Sequence, residues 1–148
     1  KSEDLIYFVE DDYIHNKDSI NEMIFTYERI SSQLNKEIIL CPTDYPYLYT
    51  KAEITQNFLG HKYHWRKVNE TLCTFLTSKL MIEKYWNKYT SMCEEEHAPF
   101  EKPMHDIYEK ELCISPIPSL AIHFTNINSI FGLSPNVDWK KIWEENKV

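Results

Sequence analysis

An apolar run near the start of the chain, residues 5–9, leads directly into three acidic side chains. Such a run predicts a strand buried on both faces, as in a sheet covered by helices. Apolar residues then recur at helical spacing over residues 18–34, and a second apolar run, residues 37–41, predicts another strand. This order predicts a right-handed βαβ unit, with the strand at about residues 5–10 central to the sheet.

Short strand-like and helix-like segments alternate along the remainder of the chain. A turn-rich loop at 42–50 precedes the next strands, Ser78 is a candidate cap for a helix, and Asp138 is a candidate cap for the last one. The predicted segments are strands at 52–57, 61–68, 71–77 and 119–124, helices at 79–89 and 103–110, and an extended stretch at 112–118. The expected fold class is therefore α/β, a mixed sheet with flanking helices, in one domain or part of one spanning residues 1–148.

Composition excludes several classes of protein. The 148 residues are 43% hydrophobic and 14% aromatic, which argues against disorder, and the net charge of −7 argues against a nucleic-acid partner. No apolar stretch reaches the ~18 residues that a transmembrane segment needs, and no signal peptide is visible. The four well-separated cysteines are expected to be free thiols. These features favour a cytoplasmic protein in a reducing compartment, whether or not it lies peripheral to a membrane.

The acidic cluster Glu10, Asp11 and Asp12 is the strongest indication of chemistry. Three adjacent carboxylates repel one another unless a cation or a set of donors compensates. Ligands of open α/β sheets bind beyond the carboxyl ends of the strands, and Mg²⁺ and Mn²⁺ prefer oxygen ligands. The pattern therefore predicts a divalent-metal site, the alternative being a solvated strand end or a charge cluster at a helix N-terminus.

Aromatic residues supply candidate binding surfaces. Tyr45 lies in the loop at 42–50 and Trp65 in a predicted strand, and aromatic faces suit stacking on a sugar or a base. Both are predicted substrate-binding residues. For the tyrosines of the loop, covering the core remains an equal alternative.

The run from Ile6 to Asp12, Ile-Tyr-Phe-Val-Glu-Asp-Asp, resembles the metal-binding strand of GT-A fold glycosyltransferases, which ends in Asp-x-Asp or Glu-Asp-Asp. The resemblance implies that Asp12 is a ligand of Mn²⁺ or Mg²⁺. It places Glu10 and Asp11 near the metal water or the ribose of the donor, with Glu10 a second candidate ligand. His123, on a later strand-like run, corresponds to the histidine that often completes the coordination.

The resemblance further implies a catalytic base in the acidic stretch 94–106, for which the candidates are Glu94, Glu95, Glu96 and Asp106. The expected activity is transfer of a sugar from a nucleotide-sugar donor to a saccharide or other hydroxyl acceptor. The nucleotide-binding first half of the fold has no counterpart here. The chain is therefore expected to be the C-terminal part of a catalytic domain, and its opening on a strand suggests that it begins inside a larger protein.

Two other functions remain open from the residues. Val9-Glu10-Asp11-Asp12 also resembles the first strand end of receiver domains, which are phosphorylated on an aspartate and hold Mg²⁺. That pattern requires a phospho-accepting aspartate at the end of the third strand, whereas Asp44 follows the second. A non-catalytic carbohydrate-binding piece is the third possibility.

Overall fold

Eight strands and five helices make up residues 4–124 and 127–147, the part of the chain that the structure, a computed structural model, describes. The strands are β1 (Leu5–Phe8), β2 (Tyr13–His15), β3 (Ile39–Leu40), β4 (Asn57–Leu59), β5 (His64–Val68), β6 (Phe75–Ser78), β7 (Cys113–Ile117) and β8 (Ala121–His123). The helices are α1 (Ser19–Leu34), α2 (Lys79–Lys84), α3 (Trp86–Glu94), α4 (Lys102–Tyr108) and α5 (Trp139–Asn146), with a 3₁₀ helix at Pro46–Tyr49.

Six strands form one mixed sheet in the order β1-β6-β3-β7-β5-β4. Only β3 and β7 are parallel neighbours; the other adjacent pairs are antiparallel. The remaining strands, β2 and β8, pair antiparallel in a separate two-stranded sheet. The predicted α/β class with a mixed sheet and flanking helices is confirmed.

Successive residues of the central strands point into two different cores, because side chains alternate across a pleated strand. Leu40 of β3 packs with Met23, Tyr27 and other residues of α1 on one face of the sheet. Ile39 packs on the other face with residues of α2 and α4, such as Met81. The sheet is thus covered by α1 on one side and by α2–α4 on the other.

Helix boundaries agree well with the local signals in the sequence. The helix predicted at 18–34 is α1, and Asn35 ends it in the left-handed conformation, with φ of 52°. The Ser78 hydroxyl accepts a hydrogen bond from the Met81 N–H at the start of α2, and the Asp138 carboxylate accepts one from the Lys141 N–H at the start of α5. The helix predicted at 79–89 is broken at Tyr85 into α2 and α3.

The first strand is not central to the sheet as predicted; β1 is an edge strand. It pairs only with β6, and β6 separates it from β3, so β1 and β3 run in the same direction without being neighbours. The apolar character of this strand therefore does not come from a central position in the sheet. Ile6 contacts one core and Leu5 and Tyr7 the other, so even an edge strand between two helical layers is apolar on both faces. Beyond it, Val9 is 49% exposed.

Other differences are smaller. The strand predicted at 52–57 shares only Asn57 with the observed β4. All four cysteines are free thiols, as expected. None of the helices in the described ranges combines the length and the apolar character that crossing a membrane requires.

Candidate functional site

Asp12 and His123, which are 111 residues apart in sequence, meet at the end of the two-stranded sheet. Asp12 lies in the turn between β1 and β2, and Tyr13 pairs with His123 across the β2–β8 ladder. The Phe124 N–H donates to the Asp12 carbonyl at 2.9 Å and extends the ladder by one residue. His123 Nε2 lies 3.0 Å from Asp12 Oδ2. This antiparallel pairing creates the contact, and it could not be read from the chain order.

The imidazole of His123 is held on two further sides. Its Nδ1 lies 2.8 Å from the Phe131 carbonyl oxygen, and the Tyr13 ring stacks on it with centroids 4.9 Å apart. A carbonyl oxygen only accepts, so Nδ1 carries a proton. In the neutral ring Nε2 then has a lone pair facing the Asp12 carboxylate, and a proton or a cation must lie between the two acceptors. Histidines that bind metals are commonly oriented by such a hydrogen bond from the second ring nitrogen.

Glu10 lies beside this pair, held by the buried Thr74. The Glu10 N–H donates to Thr74 Oγ1 at 3.0 Å, and the Thr74 hydroxyl lies 3.4 Å from Glu10 Oε2. Burial raises the pKa of the Glu10 carboxyl, and the negative charge of Asp12 raises it further. Of the three residues predicted to hold a metal, Asp12 and His123 are in direct contact, and Glu10 interacts with both through its charge.

A further acid, Glu101, acts on Glu10 through its charge and was missed in the sequence. Its negative charge is one of the smaller causes of the raised pKa values of Glu10 and Cys73. Glu101 is the N-cap residue of α4. The signal in the sequence was Pro103, since a proline in the first turn of a helix places the cap one or two residues earlier.

The candidates named for the catalytic base do not lie in such a cluster. Asp106 is bound on both sides by lysines, with Lys88 Nζ at 2.7 Å from its Oδ2 and a second ion pair to Lys102. Hydrogen bonds from these lysines lower the pKa of Asp106 to about 2, which makes it a weaker proton acceptor, and its assignment as the base stays a prediction. Glu95 and Glu96 are exposed at the end of α3 and in the loop that follows.

The aromatic residues predicted to bind substrate are buried. Tyr45 is 1% exposed, and its hydroxyl lies 2.6 Å from that of Tyr13, so it supports the ring behind His123. Trp65 is fully buried, and its Nε1–H donates to Glu22 at 3.2 Å. Neither ring has a face open to a ligand in this structure, and contact of either ring with a substrate stays a prediction. Asp11 is exposed beside Asp12.

Across residues 4–124 and 127–147, no group of three or more His, Cys, Asp or Glu side chains is arranged to hold a metal ion. Asp12 and His123 are therefore a two-residue pair, with Glu10 close by rather than in a complete ligand set. A metal bound here would need further ligands from water or from a substrate.

Comparisons of the chain with protein-family models, with curated proteins and with solved structures found no match. The function is therefore inferred from the geometry of the site.

Proposed function

We propose that this chain is the acceptor-side part of a metal-dependent glycosyltransferase that resembles the GT-A class and uses a nucleotide-sugar donor. The observation that carries the proposal is the contact between Asp12 and His123. A carboxylate and an imidazole Nε2 are 3.0 Å apart, and the Phe131 carbonyl fixes the imidazole through its Nδ1–H. Two side chains that are held in this way can bind one cation together.

The donor set of the pair fits Mn²⁺ or Mg²⁺. Carboxylate oxygen suits both ions, and imidazole nitrogen is better tolerated by Mn²⁺. Two protein ligands leave most of the coordination shell to water and to the oxygens of a diphosphate, as is usual for Mg²⁺ sites that bind nucleotides. The ion would stabilise the charge of the nucleoside diphosphate leaving group. Asp12 and His123 would hold it, and Glu10 would interact with a water in its shell or with the ribose.

Glu101 replaces Asp106 as the candidate general base. Transfer to a hydroxyl requires a carboxylate that accepts the hydroxyl proton. The charge of Glu101 acts on Glu10, and Glu101 is not ion-paired within the described residues, whereas Asp106 is held between two lysines. Glu101 would therefore orient the acceptor and take up its proton.

Binding of Mn²⁺ tests the metal site directly. Electron paramagnetic resonance counts free Mn²⁺ during titration of the protein, alone and with UDP or GDP present. We expect the wild-type chain to bind one Mn²⁺, more tightly with the nucleotide. Asp12→Asn should abolish this binding, and His123→Gln should weaken it by at least about tenfold, as expected from the loss of a ligand or its support.

The control is Asp18→Asn, which removes an exposed acid paired only with Lys62 at the surface and should bind Mn²⁺ like the wild type. The metal-site proposal is wrong if Asp12→Asn binds Mn²⁺ as the wild type does, or if no Mn²⁺ binds with either nucleotide.

The receiver alternative finds little support in the geometry. Asp44 is 1% exposed, and it is ion-paired with Arg66 and hydrogen-bonded by the Tyr49 hydroxyl. A carboxylate so enclosed cannot approach a phosphodonor without opening the structure. Incubation with acetyl phosphate should therefore give no aspartyl phosphate by mass spectrometry, and stoichiometric labelling would favour the receiver function.

A further inference from the structure

Three aromatic rings are clustered directly beside the Asp12–His123 pair. Phe124 follows His123, and its ring centroid lies 6.1 Å from that of Trp139 and 5.9 Å from that of Trp143, both on α5. The Phe124 N–H donates to the Asp12 carbonyl, so this cluster adjoins the backbone that positions the candidate metal ligand. We call Phe124, Trp139 and Trp143 the aromatic cluster.

The two tryptophans are not needed to bury α5. Ile142, between them on the helix, is 7% exposed and is the buried residue of α5. The Asn146 amide Nδ2 donates to the His15 carbonyl at 3.0 Å and fixes the other end of the helix to β2. Trp139 and Trp143 nevertheless remain 37% and 45% exposed. Both rings therefore contact Phe124 and still leave a large apolar surface exposed to solvent.

A cleft with a cavity volume of about 360 Å³ opens between β2 and α5 next to Trp143. Asn146 and Lys147 contribute polar groups to it, and Tyr13 and Ile14 contribute to its other wall. An apolar wall with a few polar groups is typical of small-molecule sites, which lie in this range of volumes. Lys140 lies over the Trp139 ring at 5.6 Å, so the Trp143 ring is the better candidate for contact with a ligand.

The charges around the cluster favour a neutral ligand. Residues 138–147 contain three acids (Asp138, Glu144, Glu145) and three lysines (Lys140, Lys141, Lys147), so their charges cancel. The whole chain carries a net charge of −7. An anionic membrane surface recruits basic segments, and this segment offers no excess of positive charge. A pyranose is uncharged, presents C–H groups that pack against an aromatic face, and has hydroxyls that can donate to the Asn146 Oδ1, since the Asn146 Nδ2 already donates to the carbonyls of His15 and Ile142.

We propose that Trp143, with Phe124, Asn146 and the cleft beside them, binds a pyranose ring of the acceptor saccharide. This inference rests on the proposed glycosyltransferase function for the identity of the ligand as acceptor. The aromatic cluster is linked to the candidate metal ligand through Phe124, whose N–H donates to the Asp12 carbonyl and whose ring contacts Trp143. Binding of the sugar itself does not require the metal.

The test uses the indole N–H signals of the four tryptophans in ¹H–¹⁵N spectra of the full chain without Mn²⁺. The probes are the methyl glycosides of glucose, galactose and mannose, added up to about 50 mM, which detects millimolar binding. We expect at least one of them to shift the Trp143 signal saturably and to leave Trp65, which is buried, and Trp86, which lies on α3, unchanged. Trp143→Ala should abolish saturation transfer to that sugar, Trp143→Phe should retain part of it, and the matched control Trp86→Ala should retain all of it.

Two results would overturn the proposal: no saturable shift of Trp143 with any of the three glycosides, or saturation transfer that survives Trp143→Ala. Co-sedimentation with vesicles of phosphatidylcholine and phosphatidylglycerol tests whether the aromatic cluster binds a membrane surface instead of a sugar. Vesicle binding that Trp143→Ala abolishes, without a response to sugars, would make the cluster a membrane contact instead. Because these measurements omit Mn²⁺, they test the saccharide site alone, and the Mn²⁺ titrations test the metal site alone.

Discussion

At the scale of single residues, the candidate site is a concentration of negative charge compensated by one imidazole. Burial and neighbouring carboxylates raise the pKa of Glu10, and the Asp12 carboxylate faces His123. Such an arrangement costs stability in the absence of a cation and gains it when one binds. The effect of a cation on stability can be tested at Asp12, and the role of the proposed base can be tested at Glu101.

Asp12→Ala should leave the metal-free protein folded, because relief of the repulsion with Glu10 offsets part of the loss of the contact with His123. In the wild type, Mn²⁺ at 100 times its dissociation constant should add about 2.7 kcal/mol to the free energy of unfolding. In Asp12→Ala this gain should vanish. Thermal unfolding with and without Mn²⁺ and UDP measures both quantities, and an Mn²⁺-dependent gain that persists in the variant would contradict the site.

Glu101→Gln should keep Mn²⁺ binding and lose turnover, because the amide cannot accept the acceptor proton. We expect kcat to fall by about 10²–10⁴-fold with little change in KM. The measurement is release of UDP or GDP from a panel of their sugar conjugates, using whichever donor the wild-type chain turns over. The matched comparison is Asp106→Asn, which removes the acid held by two lysines and should retain turnover. A loss in Asp106→Asn alone would return the base to Asp106.

At the scale of elements, one buried carboxylate joins α1 to the turn between β4 and β5. Glu22, 1% exposed, accepts hydrogen bonds from the backbone N–H groups of His61, Lys62 and Tyr63 at 2.8–3.3 Å and from the Trp65 indole. The turn approaches so closely that a Cβ on Gly60 would lie 2.3 Å from Trp65 Nε1, so only glycine fits there. The helix spacing marked Met23 and Tyr27 as core, but it gave no reason to bury Glu22.

Glu22→Gln should lower the free energy of unfolding by about 1–3 kcal/mol. The amide keeps one acceptor oxygen but turns an N–H₂ towards backbone donors, which leaves at least one buried N–H without a partner. The control is Glu28→Gln, an exposed position on the same helix, where the change should stay within about 0.5 kcal/mol. Urea unfolding measures both, and equal stabilities of the two variants would show that the carboxylate is not needed to fix the turn.

At the scale of the whole molecule, a buried ion pair joins the loop after β3 to the middle of β5. The Asp44 carboxylate contacts the Arg66 guanidinium and the Tyr49 hydroxyl, and the guanidinium lies over the Tyr49 ring at 4.7 Å from its centroid. Burial outweighs these partners and raises the pKa of Asp44. Each of the two charges is stabilised by the other. Removing one residue would leave the remaining charge buried away from water without a counter-ion.

Arg66→Met should destabilise the protein by about 3–5 kcal/mol, since it leaves Asp44 buried without its counter-ion. The double variant Asp44→Asn with Arg66→Met should recover a large part of that loss, because it removes both charges. The double-mutant cycle, measured by urea unfolding of all four proteins, gives the coupling energy. Additive effects of the two substitutions would show that the pair does not act as a unit.

Local sequence signals sufficed for the helices and for the type of fold. Apolar spacing located α1 to within one residue, and Asn35, Ser78 and Asp138 marked helix ends through interactions within one turn of the chain. These features are determined by residues close in sequence, and so the sequence alone predicts them. The run ending in Glu10, Asp11 and Asp12 likewise marked the place where charge accumulates.

Only the tertiary structure decided which strand lies at the edge and which acids meet. An apolar strand looks the same in sequence at the edge of a sheet between two helical layers as at its centre, and only pairing with β6 distinguishes them. The burial of Tyr45 and Trp65 depends on contacts between segments far apart in the chain. The sequence marked Asp12 through its acidic cluster, and the resemblance to GT-A glycosyltransferases added His123 as a candidate ligand. The pairing of β2 with β8 sets the 3.0 Å between the two side chains, since distances across a fold are fixed by packing and not by residue order.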